Sequence, residues 1–168
     1  MIRFVVLASL ALAPAACRIS LEDDGKSPGG VDAAVSAACI EAKTYEDLTN
    51  IDAKIFKASC VFSGCHNGGA TKAGKVDLRT ATDAHTNLVG VPSVVDTSGG
   101  RVLVEPGDVS KSYLMVMLQA VKPADANPPT VDPGTDIGFM PQNTNGQPIC
   151  QEKRDAIARW ITAGAQNN

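Results

Sequence analysis

The residues of this 168-residue chain best suited to chemistry are Cys60, Cys65 and His66, in the run Cys60-Val61-Phe62-Ser63-Gly64-Cys65-His66. Two thiols can add S–H across the two vinyl groups of a haem, and an imidazole next to the second thiol then swings under the iron. The usual spacing places two residues between the cysteines, whereas here there are four. The extra residues can loop outward, and Gly64 supplies backbone freedom where the loop must rejoin the anchoring turn. Two other chemistries share these residues. One is a small Cys60–Cys65 disulfide with His66 facing solvent, and the other is a zinc site, which needs two more ligands and has only His85 and the distant cysteines to draw on.

The remaining cysteines depend on the compartment. Residues 1–16 read as an export signal: Arg3 supplies the positive n-region, and Phe4 to Ala13 is apolar but too short to stay in a bilayer. Ala13-Pro14-Ala15 suits an ordinary signal peptidase, while Ala15-Ala16-Cys17 suits lipidation at Cys17, with Pro14 standing where leucine is usual. The polar stretch that follows favours a lipoprotein of the periplasm or outer membrane. Residues 17–38 then form a lipidated or flexible linker, and residues 39–168 the domain. Export oxidises thiols, so each of the five cysteines needs a fate. With Cys17 assigned to lipid and Cys60 and Cys65 to a cofactor, Cys39 and Cys150 remain as a disulfide pair.

Charge and size exclude several functions. Lys and Arg number 15 against 18 Asp and Glu, with no basic run, so nucleic acid is not an expected partner. Only seven residues are aromatic, Phe4 among them. A domain of about 130 residues with so few large side chains has a small core, which a flat apolar cofactor could complete. No nucleophile elbow, phosphate-binding loop or metalloprotease helix is present, and the scattered carboxylates offer no glycosidase pair.

The elements that must position Cys60 and His66 are helices. One is predicted over Tyr45–Ser59, with a capping-box-like start at Thr44 and Asp47 and an apolar face of Leu48, Ile51, Ile55 and Phe56. From Asn67 to Gly107 the pattern is loop-like, with a brief extended piece at Val102–Val104, and His85 is a solvated histidine in that loop. Glu105-Pro106-Gly107-Asp108 turns the chain, Ser110 can cap a buried helix at Tyr113–Leu118, and Arg101 beside the turn reads as a surface charge. Lys122 to Pro148 holds six of the ten prolines and must be a wrapping loop. The last helix starts near Pro148 or Ile149, buries Ile157, Trp160 and Ile161, and stops at Gly164. Phe56 and Trp160 are core residues.

In order, the leading helix, the Cys60-to-His66 run, Val76-Asp77-Leu78, Arg101-Val102, Pro106-Gly107-Asp108, Ser112-Tyr113-Leu114, Met140-Pro141 and Ile157 to Ala165 resemble the cytochrome c-like domains of myxobacterial and planctomycete exported proteins. The resemblance spans Tyr45 to Ala165. It implies a mainly α, class I cytochrome c-like fold, with three or more helices and long irregular loops around one covalent haem c. His66 would be the proximal ligand and Met140 the axial methionine, with His85 the rival sixth ligand. The resemblance carries fold further than function, but His66 and Met140 as the two axial ligands would leave no open iron position, so the expected role is electron transfer to redox partner proteins rather than catalysis. Met140 also has a case of its own, as a soft thioether in a proline-rich loop, although gap-filling in the core suits a methionine equally well.

Overall fold

A computed structural model describes residues 35–62, 65–68, 76–96, 100–134, 137–144 and 146–168. The predicted signal peptide, Cys17, most of the predicted linker and Gly64 lie outside the described residues. The domain is helix-rich, and its described residues form isolated β-bridges but no strand. Among the described residues, no helix is long and apolar enough to cross a membrane.

Helix α1 (Ala37–Ala42) is capped by Ser36, whose hydroxyl accepts from the Cys39 N–H. The helix leading to Cys60 begins later than predicted. Asp47 rather than Thr44 is its N-cap, with the carboxylate accepting from the Asn50 N–H at 2.7 Å. Thr44 instead donates its hydroxyl to the Glu41 carbonyl behind it. The helix runs as α2 (Leu48–Ile51), a π-helical turn (Asp52–Phe56) and α3 (Lys57–Ser59). Leu48, Ile51, Ile55 and Phe56 are all buried, so the predicted apolar face is the one that packs. The π turn widens the helix just before Cys60, and such bulges recur at functional sites.

Helix α4 (Ala81–Leu88) was not expected. Thr80 caps it through the Asp83 N–H at 3.1 Å, and Ala84 and Leu88 face the core. His85 therefore sits on a helix and not in a loop. Val89, Pro92, Val102, Val104 and Ser112 pair through isolated bridges, so Val102–Val104 is a short extended brace. The turn at Pro106 has Gly107 at φ 83° and closes with the Asp108 N–H donating to the Glu105 carbonyl.

Helix α5 (Tyr113–Met117) is almost wholly buried, as its unbroken apolar run demands. Ser110 does not cap it, because its hydroxyl is committed to the Asp108 carboxylate at 2.7 Å. The proline-rich stretch is irregular apart from 3-10 turns at Pro123–Asp125 and Gln142–Thr144. Helix α6 (Gln151–Thr162) starts just after the expected position, with Cys150 as its N-cap residue, and Gly164 follows it at φ 98°. Ile157, Trp160 and Ile161 are buried on its inner face.

Helices α1 and α2 both pack on α6. Arg159 of α6 donates Nη2 to the carbonyls of Ala42, Lys43 and Tyr45, satisfying groups that the end of α1 leaves open. A disulfide joins Cys39 to Cys150, across 111 residues, and so ties α1 to the start of α6.

Candidate functional site

The site is a cleft enclosing about 1080 Å³ of space, its open mouth included. It is lined by Ile55 and Phe56 of the π turn and Ile157 of α6. Leu88, Val91 and Leu103 line it as well, as do Leu114 and Met117 of α5 and Leu118 just past its end. Into this apolar surface come Cys60, His66 and Met140, from segments distant in sequence. Concave surfaces that are mostly apolar with a few polar groups are the usual form of small-ligand and cofactor sites. Val94 lines the cleft yet is 73 % exposed, which places an apolar side chain at its mouth.

His66 is held from several sides. Its N–H donates to the Cys60 carbonyl at 3.2 Å, closing the Cys60-to-His66 loop across its base, and its own carbonyl accepts from the Leu78 N–H at 3.0 Å. Ring Nδ1 lies 3.0 Å from the Val76 carbonyl. A carbonyl only accepts, so Nδ1 carries the proton. Burial pushes the imidazole below its ordinary pKa, with the Val76 bond opposing the shift more weakly. The neutral ring then leaves Nε2 as a bare lone pair, the arrangement in which histidine binds metal.

Residues 76–78 form the clamp on His66, and α4 holds the clamp: Asn87 donates Nδ2 to the Asp77 carbonyl at 3.3 Å and to the Asp83 carbonyl at 2.8 Å. Gly68 follows closely at φ 75°, where an added Cβ would lie 2.5 Å from the Arg79 guanidinium and 2.6 Å from the Asp77 carboxylate. Only glycine suits that approach without displacing the Asp77–Arg79 pair.

Cys60 and Cys65 are both free thiols. Burial, followed by the nearby Cys65, pushes the Cys60 thiol up to about 12, while Lys153 of α6 pulls weakly the other way. Cys60 is thus a neutral thiol and a poor partner for disulfide exchange. Met140 reaches the cleft from the wrapping loop, with its N–H donating to the Met117 carbonyl at 2.8 Å.

His85 does not line the cleft, although Leu88 of the same helix does. The structure brings Cys60, His66 and Met140 together around the cleft, and neither Cys65 nor the rival histidine is among its lining residues. The ligand atoms of Cys39, Cys150 and Glu152 lie within 4.8 Å of one another, but the two sulfurs are bonded to each other and offer no thiolate.

Arg101 is not a surface charge. Its side chain is fully buried and pairs with Asp96 at 2.6 Å, and Nη2 donates to the Pro128 carbonyl. Its Nη1 has no hydrogen-bond partner among the described residues. The pair lies close enough to Tyr113 that Asp96 raises, and Arg101 lowers, the pKa of the phenol; burial is the larger cause and leaves it raised. Tyr113 lines the cleft, whereas Arg101 and Asp96 are not among its lining residues. The opposite charge shortly before it in sequence, Asp96, does not by itself signal burial.

Comparison with protein-family models, with curated proteins and with solved structures finds no match to this chain. The functional reading therefore rests on the residues and their geometry.

Proposed function

We propose that this domain is a monohaem c-type cytochrome-like electron carrier of the cell envelope, with one haem c attached through Cys60 and Cys65. In this reading His66 is the proximal ligand and Met140 the sixth ligand. The observation that carries it is the meeting of a thiol, a neutral imidazole and a thioether in one apolar cleft. The donor set suits the group, because sulfur and imidazole are the ligands of c-type haem iron.

Haem bound there would supply a one-electron iron couple, whose potential methionine ligation raises. The chain does the rest. Val76 fixes the tautomer and direction of the His66 ring, the aliphatic walls exclude water, and the loop contact at Met117 holds Met140 at the cleft. Two protein ligands leave no open position for a substrate, which favours carrying electrons over catalysis. Docking to redox partner proteins, export and membrane attachment through lipid at Cys17 belong to the same proposal.

The rival is a haem-free, disulfide-stabilised lipoprotein domain with a binding or structural role. It draws on the Cys39–Cys150 bond, which both readings accommodate. Expression in a host with c-haem maturation separates them. The cytochrome reading expects a coloured product that keeps haem stain in a denaturing gel and gains the mass of one haem. A colourless product, lighter by two hydrogens for each cysteine pair, would overturn it.

A further inference from the structure

The chain continues beyond α5 through Gln119, which has φ 57°, in the left-handed region. Glycine is the ordinary residue just past a helix end in that conformation, because a side chain there costs on the order of 1 kcal/mol. Here the position is glutamine, and both of its polar ends are used. Side-chain Nε2 donates to the Gly146 carbonyl at 3.1 Å, and its own carbonyl accepts from Arg154 Nη1 of α6 at 2.7 Å. Two residues earlier, the Met117 carbonyl takes the Met140 N–H at 2.8 Å. The end of α5 therefore grips the wrapping loop at Met140 and again at Gly146, while α6 grips Gln119.

We propose that Gln119 is a positioning residue for the sixth ligand: its amide seats the loop that presents Met140 to the cleft, and Arg154 holds Gln119 in the strained conformation this requires. The inference rests on Met140 being a ligand, but the seating of the loop can be measured without haem. Releasing the amide lets the loop open, and any ligand competing with Met140 gains in proportion to the open fraction. The net contribution of one hydrogen bond corresponds to about a fivefold change in such an equilibrium.

The test compares Gln119→Gly and Gln119→Ala in the full chain. Both lose the amide, and only alanine keeps the left-handed strain, so glycine is expected to fold at least as stably as the parent. Amide exchange over residues 137–149 should quicken about fivefold in both variants. In haem-loaded protein, exogenous imidazole should displace methionine at about fivefold lower concentration, followed by loss of the methionine-to-iron absorption band. Unchanged exchange and an unchanged imidazole midpoint in Gln119→Gly would overturn the inference while leaving the cytochrome reading intact. A parent protein with no haem would overturn the cytochrome reading and Gln119's role toward a ligand, and the exchange data would still decide whether Gln119 seats the loop.

Discussion

The imidazole of His66 donates Nδ1–H to the backbone carbonyl of Val76 at 3.0 Å, in a cleft otherwise lined mainly by aliphatic side chains. Burial holds this ring below its ordinary pKa. Between that lowered value and about 6.5, the unfolded chain binds a proton that the folded chain does not. Haem-free protein is therefore expected to lose stability as pH falls below about 6.5. Urea unfolding from pH 7.5 down to 5 should show the slope, and His66→Gln should remove it. Asp47 and Asp108, whose carboxyls hydrogen bonds hold below the usual range, lose their contributions only in more acid solution. An equal slope in parent and variant would refute this account.

The raised Cys60 thiol leads to a second expectation. With its pKa pushed up to about 12, little thiolate exists at pH 8. Native haem-free protein should alkylate at Cys60 at least about tenfold more slowly than the same chain in denaturant. Peptide mass mapping after a timed iodoacetamide pulse reads this directly, and equal rates in the two states would contradict it. In haem-loaded protein Cys60 should not alkylate at all, even when denatured.

Removing the Cys39–Cys150 bond frees an unfolded chain that had been closed over 111 residues. The double variant Cys39→Ser, Cys150→Ser should lose about 2–4 kcal/mol, and its Tm should fall by roughly 10 °C. Thermal melts of the two proteins under identical conditions measure it. A Tm within a degree or two of the parent would mean that the packing of α1 on α6 suffices alone.

The Asp96–Arg101 pair is buried on both sides, so each charge depends on the other. Arg101→Ala should cost about 3–5 kcal/mol, much of it from removing the guanidinium that faces the buried Asp96 carboxylate. A double replacement with Asp96→Leu and Arg101→Met should recover a large part of that loss. Denaturant unfolding of the four proteins gives the coupling, and additive losses would show that the two charges act independently.

Long apolar periodicity made α6 and the face of α2 readable from sequence, and Tyr113–Leu118 could only be a buried helix. Helix α4 escaped because its inward residues are Ala84 and Leu88 among polar neighbours, although Thr80 and Asp83 carried a cap signal. Helix α1 is too short to show a period. The π turn is a backbone widening that side-chain pattern does not encode. At the site, the chemistry-bearing residues Cys60, His66 and Met140 were legible because their types are rare and specific. Their supports were not: Val76 acts through a carbonyl that any residue could provide, and Gln119 through a loop contact 27 residues away. The burial of Arg101 depends on Asp96 folding back against it, which no local pattern announces.

The disulfide also makes residues 39–150 a covalent ring, and Cys60, His66 and Met140 all lie within it. A single protease cut anywhere in that ring opens it without separating the pieces. Both halves of the cleft would stay on one molecule, and non-reducing electrophoresis would show one band where reduction shows two. For a domain with such long irregular connections, the bond is insurance against cleavage as well as a brace.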